Sequence, residues 1–290
     1  FFFVLFFCCF YCYATPLVFT FYLFAASEVF KGQNKEKEEG KIGFAKYITK
    51  NYLEWVNPKN IGKTIEGKPV MSPDIFKTKI FPKLDQGEKI FLIVIDNFRY
   101  DQWKMLGQDI GELFDIEEDM YMSILPTATQ YARNAIFSGL MPNDIARMFP
   151  DLWVDEDEEE GKNVNEEPLI RTQIERFRRH DTFSYYKVND IVGAERYLQR
   201  YPQLAKNDIN VVVFNFIDML SHARTESKMV RELANTESAY RSITLSWFRH
   251  SAISELFKLL ARSDYRVIVT PDHGSVRSCK QVKINGDRKT

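Results

Sequence analysis

The sequence predicts an α/β fold in which a mostly parallel central sheet is flanked by helices, and three observations support this prediction. Long apolar runs at residues 89–96, 210–218 and 266–272 each end in an aspartate. Continuously apolar runs are typical of parallel strands that are covered on both faces. Segments with apolar residues at helical spacing lie between these runs, notably at 101–113 and 227–260.

The composition is that of a folded protein with no general attraction for polyanions. The chain has 290 residues, 45% hydrophobic and 27% charged, which suits one large α/β domain or two small ones. Its net charge of -1 means that any nucleic-acid contact requires a local basic patch. Three of the four cysteines lie within one apolar run, so no disulfide framework is indicated.

The first 26 residues form an apolar, phenylalanine-rich segment with two open interpretations. The run is long enough for a membrane-spanning helix, which needs about 20 residues. A signal peptide is not favoured, because no basic region precedes the apolar run. The alternative is an artefact of a truncated or misassembled gene, so membrane association is expected only if residues 1–26 are genuine.

Residues 27–85 are predicted to be a charged linker followed by a helical connector. The stretch 31–41 is rich in lysine and glutamate and contains glycine, which is typical of a solvated linker. Apolar residues at helical spacing in 44–56 predict a short amphipathic helix. The main folded domain is then expected over 86–290.

Within this domain, Lys89–Asp96 predicts a central strand, residues 101–113 a helix, and residues 121–125 a second, shorter strand. Thr127 or Thr129 is placed to cap a further helix, which is expected to stop near Gly139.

The three strand-end aspartates are expected to meet, because ligands bind beyond the carboxyl ends of strands in doubly wound sheets. Asp96 ends the first strand, Asp218 is followed four residues later by His222, and Asp272 is followed at once by His273. Clustered carboxylates repel one another unless a cation neutralises them. Aspartate together with histidine suits zinc. The other two histidines, His180 and His250, are predicted to lie at the surface.

Thr129 is the candidate nucleophile, with Thr127 as its competitor. A hydroxyl at a helix N-terminus faces the positive end of the helix dipole and free backbone amides, a setting that stabilises an alkoxide and a phosphoryl group. Simple N-capping is the structural alternative for either threonine. Arg133 lies on the same helical face as Thr129, and Arg133 or the adjacent Asn134 is a candidate for binding phosphate oxygens.

These motifs in this order resemble the alkaline phosphatase superfamily, and within it the PglZ domain. The resemblance rests on Asp96, PTxT with Thr129, Asp218-x-x-x-His222 and Asp272-His273-Gly274. The segments IDNFRYDQW and LPTATQYARNAIFSGLMP are similar to the C-terminal domain of PorX-like response regulators of Bacteroidetes.

The resemblance implies an alkaline-phosphatase-like sheet and two zinc ions, with Mn²⁺ as the alternative metal. It implies that Asp96, Thr129, Asp272 and His273 hold one ion, and that Asp218, His222 and a later histidine hold the other. No histidine follows His273, and an apolar run stands where a receiver domain is expected. We therefore expect a fragment that is incomplete at the C-terminus.

The function implied by the resemblance is phosphoester hydrolysis by double in-line displacement through a phosphorylated Thr129. Phosphodiesters, including short oligonucleotides, are favoured over monoesters. The implied setting is a cytoplasmic, two-component response-regulator-like protein with a signalling protein partner, and a homodimer is also considered.

Two alternatives remain open. The domain could instead be a signalling or interaction module that keeps a structural metal and turns over little substrate. A membrane-anchored phosphotransferase or sulfatase-like enzyme is the other alternative, although sulfatases normally use cysteine or serine where this chain has Thr129.

Overall fold

Six parallel strands form the centre of the computed structural model, which describes residues 2–7, 28–60, 63–154 and 163–275, with side chains from residue 39 onward. The strands in spatial order are β3-β1-β6-β2-β5-β4, so the predicted parallel sheet is confirmed. Their bounds are β1 Phe2–Phe7, β2 Lys89–Ile95, β3 Ile116–Tyr121, β4 Phe183–Val188, β5 Ile209–Phe214 and β6 Tyr265–Thr270.

Helices cover both faces of this sheet, as predicted. In the described part of the chain they are α1 Glu28–Trp55, α2 Phe81–Asp85, α3 Tyr100–Gly111, α4 Thr129–Ser138, α5 Pro142–Met148, α6 Glu166–Arg176, α7 Ile191–Leu204, α8 Phe216–Glu226, α9 Lys228–Leu233, α10 Glu237–His250 and α11 Ala252–Leu260.

Strand β2 shows why its sequence is apolar at every position. Phe91, Ile93 and Ile95 point to one face and pack with residues of α3, α7, α10 and α11. Ile90 and its alternate neighbours point to the other face and pack with residues of α4, α5 and α6. Successive side chains of a strand alternate between faces, so a strand covered on both sides needs apolar residues throughout. Complete burial of each side chain contributes about 1.5–3 kcal/mol.

Neither edge strand, β3 or β4, was predicted correctly from the sequence. The strand expected at 121–125 is wrong, because β3 lies earlier and shares only Tyr121 with it. Strand β4 was not predicted. An edge strand has one neighbour and keeps exposed positions, so β3 carries the acidic residues Glu117 and Glu118 and lacks a continuous apolar run.

The segment before the domain is more helical than expected. Helix α1 continues through the predicted linker at 31–41, where lysine and glutamate are good helix formers. The predicted amphipathic helix at 44–56 is confirmed as the C-terminal half of α1, which buries Ile48 and Trp55.

The apolar segment 1–26 is described only at Phe2–Phe7, which forms β1 between β3 and β6. Residues 8–27 lie outside the described residues, so the interpretation of the whole segment stays a prediction. Within the described part of the chain, no helix combines the length and apolar character needed to span a membrane.

Candidate metal centre

Two adjacent strands bring three ligand-type side chains together at the carboxyl edge of the sheet. Asp96 directly follows β2, while Asp272 and His273 come just after the neighbouring β6. One ligand atom from each of the three residues lies within 4.8 Å of the others, and all three residues are buried. The Nε2 atom of His273 is 3.4 Å from Asp96 Oδ1 and 4.0 Å from Asp272 Oδ2.

Thr129 is the first residue of α4 and faces this cluster. Its Oγ1 lies 2.8 Å from His273 Nε2 and 3.3 Å from Asp96 Oδ1. The capping prediction is wrong for both threonines, because Ala128 occupies the N-cap position and no side chain caps the helix. The Thr129 hydroxyl is thus directed at the cluster beside uncapped helix amides, while the predicted stop at Gly139 is confirmed by its left-handed φ of 64°.

Arg133 is completely buried behind the carboxylates. Its Nη2 donates to Asp96 Oδ2 at 2.6 Å, and its Nε lies 3.1 Å from Asp272 Oδ2 and 3.2 Å from Glu166 Oε1. Burial alone would lower the pKa of Arg133, but the adjacent carboxylates raise it above its ordinary value. The guanidinium is therefore occupied by protein carboxylates, which differs from the predicted contact with substrate phosphate.

Glu166 belongs to this network, and sequence reasoning missed it. It is buried at the start of α6, with Lys187 Nζ 3.3 Å from its Oε2 and the Tyr185 hydroxyl donating to the same oxygen. An acidic residue in the first turn of a helix is common, so nothing in the sequence marked it as part of the site. Asn134 is also buried on α4, about 100° around the helix axis from Arg133.

Asp218 and His222 form a second, more open pair. The expectation that Asp218 ends a strand is wrong, because β5 stops at Phe214 and Asp218 lies in the first turn of α8. That helical turn brings His222 Nε2 to 3.4 Å from Asp218 Oδ2, the i,i+4 geometry expected for a chelating pair. The His222 side chain is 67% exposed. His180 and His250 are exposed, as predicted.

Asn97 connects the two groups, and it was also missed. Its backbone amide donates to Asp272 Oδ1 at 3.2 Å, and its side-chain Nδ2 donates to Asp218 Oδ1 at 3.1 Å. Its φ of 58° is left-handed, a conformation that asparagine tolerates better than most residues. The available sequence signal was its position directly after the strand-end aspartate.

Two buried oxygen atoms indicate that a cation fits here. Asn97 Oδ1 and Asp272 Oδ2 accept no hydrogen bond from the described residues. A buried acceptor without a donor costs roughly 1–3 kcal/mol. The ion pair with Arg133 Nε at 3.1 Å offsets part of that cost for Asp272 Oδ2, and a bound cation would remove the rest. The buried Asp-Asp-His group can therefore hold a metal ion.

The charges around the centre shift the pKa values of the two buried aspartates in opposite directions. Burial and the neighbouring Asp272 and Asp218 raise the pKa of Asp96 to about 7, against the opposing effects of Arg133 and His273. Burial would also raise the pKa of Asp272, but His273 and Arg133 lower it below its ordinary value. Without a metal, Asp96 is thus the carboxyl that holds a proton near neutral pH.

This asymmetry predicts pH-dependent proton release on metal binding. Below pH 7 the metal must displace the Asp96 proton, so we expect about one proton more to be released per ion at pH 6 than at pH 8.5. The same raised pKa makes the metal-free fold lose stability as pH rises from about 4 to 7, since the folded state retains the proton longer.

Calorimetric titration with Zn²⁺ in buffers of different ionisation enthalpy measures the released protons. The Asp96→Asn variant is the control, because any release that persists in it comes from other groups. Equal proton release by the parent protein at both pH values would contradict the assignment.

Comparison with known protein families is consistent with this geometry. Residues 75–290 match the family model described as the BREX system PglZ alkaline phosphatase-like domain. A search of curated proteins finds no match. The family suggests a metal-dependent phosphoesterase, and its alkaline phosphatase-like character supports hydrolase activity. Because the match covers well over half of the chain and includes the whole candidate centre, the chain belongs to the PglZ family of alkaline phosphatase-like domains.

Proposed function

We propose that this chain carries a phosphodiesterase site that uses Thr129 as its nucleophile and two zinc ions as cofactors. The observation that carries the proposal is the position of Thr129 Oγ1, at a helix N-terminus and 2.8 Å from His273 Nε2. A threonine hydroxyl with no capping task, directed at a buried metal-binding group, has the setting of an activated nucleophile.

Two ligand sets are proposed. Asp96, Asp272 and His273 would hold one ion together with Thr129, and the more open pair Asp218 and His222 would contribute to the other. Carboxylates with imidazole suit zinc, and Mn²⁺ is the alternative because such sites accept several divalent metals. When bound, the cations would stabilise negative charge on the nucleophilic oxygen and on the phosphoryl group.

The protein groups supply orientation and proton transfer. Thr129 Oγ1 would attack phosphorus while the free amides at the start of α4 receive phosphoryl oxygens. The hydroxyl proton must leave, and Asp96 Oδ1 at 3.3 Å is the nearest described carboxylate oxygen. As the bond from Oγ1 to phosphorus forms, the bond from phosphorus to one alcohol oxygen would break and that alcohol would leave. Water would then attack the phosphorus of the intermediate, so that the Oγ1–P bond breaks, Thr129 regains its hydroxyl proton and a phosphomonoester departs. We assign Arg133 the role of a buried counter-ion that positions Asp96 and Asp272, in place of the predicted phosphate contact.

The biological setting is proposed from motif similarity alone. The segments IDNFRYDQW and LPTATQYARNAIFSGLMP support a likeness to PorX-like response regulators. On that basis we propose phosphodiester substrates, including short oligonucleotides, within a cytoplasmic two-component system that has a signalling protein partner.

Hydrolysis of bis-p-nitrophenyl phosphate by the purified protein tests this function. We expect turnover to disappear after treatment with a chelator and to return on addition of Zn²⁺ or Mn²⁺, with p-nitrophenyl phosphate cleaved more slowly. Stoichiometric metal binding without hydrolysis of any phosphodiester would reject the enzyme and favour the interaction module.

A further inference from the structure

A basic cleft of about 590 Å³ lies beside the candidate metal centre. Its walls come from the start of α3, from α8, α9 and α10, and from the segment that follows β6. Ser221 and Thr225, on either side of His222 in α8, line it together with Ser275, two residues after His273. The cleft is therefore next to both proposed ligand groups.

Two guanidinium groups of the cleft are held in fixed positions. Arg99 and Arg224 both pair with Glu237, at 2.6 Å and 2.8 Å. They also lie over the ring of Tyr240, with guanidinium carbons 5.5 Å and 4.8 Å from its centroid. Asp101 pairs with Arg99 at 2.5 Å. These contacts fix the two guanidinium groups but occupy several of their donors with Asp101 and Glu237, so the two arginines shape the cleft while Arg231 would provide the main contact with an anion.

Arg231 adds a third positive charge to the cleft, and no carboxylate of the described residues pairs with it. It is exposed on α9, lines the same cleft, and donates to the backbone oxygen of Thr225. Arg99 and Arg224, in contrast, each pair with a carboxylate. The cleft thus combines the uncompensated guanidinium of Arg231 with two fixed guanidinium groups and the hydroxyl groups of serine, threonine and tyrosine side chains.

We propose that this cleft binds a second phosphate group of the substrate, adjacent to the phosphoester that is cleaved. The proposal rests on the proposed function, since the cleft would extend that site. Guanidinium groups bind phosphate oxygens through paired hydrogen bonds, and serine hydroxyls add further donors, whereas the Thr225 hydroxyl already donates to the backbone oxygen of His222 at 2.8 Å. The substrate class is therefore a phosphodiester that carries a neighbouring phosphate.

Specificity measurements on Arg231→Gln test this assignment. The substrates are bis-p-nitrophenyl phosphate, a p-nitrophenyl thymidine dinucleotide with a second phosphodiester, and a p-nitrophenyl thymidine nucleotide with a terminal phosphomonoester. For the parent protein we expect a higher kcat/KM with at least one of the doubly phosphorylated substrates. Arg231→Gln should reduce that preference in kcat/KM about tenfold, and the preference should then depend less on salt concentration.

Arg262→Gln is the matched control, because Arg262 is exposed before β6, at the opposite edge of the sheet, and its loss should leave the preference unchanged. Preference for the dinucleotide would show that the second phosphate is an internal phosphodiester, and preference for the other compound would show that it is a terminal phosphomonoester. Both results support the proposal. Fluorescence anisotropy with both labelled compounds measures binding without turnover. Cleavage of bis-p-nitrophenyl phosphate without any preference would overturn the cleft assignment alone. If the parent protein cleaves none of the substrates but Arg231→Gln still weakens binding of the labelled compounds, only the proposed function is overturned. If Arg231→Gln binds both labelled compounds as tightly as the parent protein, the cleft assignment is rejected.

Discussion

Replacing Thr129 with alanine is expected to reduce hydrolysis of bis-p-nitrophenyl phosphate by roughly a thousandfold or more, because removal of a nucleophile leaves only the remaining parts of the site. The protein should stay folded. The Thr129 hydroxyl caps no helix, and alanine is the better helix former at the start of α4. The measurement is steady-state release of p-nitrophenol, with thermal unfolding followed in parallel.

Two matched variants sharpen this test. Thr129→Ser keeps a hydroxyl near His273 and should retain measurable turnover, whereas Thr127→Ala should behave like the parent protein. An acid-quenched reaction analysed by mass spectrometry should contain a peptide that includes Thr129 and carries a p-nitrophenylphosphoryl group, since the first displacement releases only one p-nitrophenol. If Thr129→Ala cleaves as fast as the parent, the nucleophile assignment fails, and loss of activity in Thr127→Ala alone would transfer the role to Thr127.

Replacing Arg133 with methionine is expected to destabilise the metal-free protein by about 3–5 kcal/mol, since breaking a buried ion-pair network leaves uncompensated charges. The carboxylates of Asp272 and Glu166, and the carboxyl group of Asp96, would all lose their contact with the buried guanidinium. For a domain of this size the melting temperature should fall by roughly 6–20 °C. Added Zn²⁺ should recover part of the loss, because a bound cation would neutralise Asp96 and Asp272.

Arg171→Gln provides the comparison for this prediction. Arg171 also lies on a helix and pairs with a glutamate, Glu167, at 3.4 Å, but both side chains are more than half exposed. Surface pairs of this kind contribute about 0–1 kcal/mol, so the melting temperature should barely change. An unchanged melting temperature in Arg133→Met, combined with a raised KM, would contradict the counter-ion role and restore the predicted phosphate contact.

The sequence could predict three of the four inner strands, because burial dictates their composition; the fourth, β1, lies in the segment that was interpreted as a membrane span or an artefact. Strands β2, β5 and β6 are covered on both faces, so each is an uninterrupted apolar run that is recognisable without any partner. Strands β3 and β4 lie at the edges of the sheet, where exposed positions admit charged residues and remove that signal. The convergence of Asp96, Asp272 and His273 was predictable for a related reason, since their strands are neighbours and parallel strands share one carboxyl edge.

Local sequence patterns specify which chemical groups follow the central strands. The pairing of those groups depends on how the helices pack on the sheet. Arg133 contacts three carboxyl groups, one of which belongs to Glu166 on α6. Asn97 forms hydrogen bonds with both Asp272 and Asp218. The physical reason is that a buried polar group takes whichever partner the packing of helices on the sheet brings within about 3 Å. That choice depends on contacts between residues far apart in the chain, which local spacing does not encode.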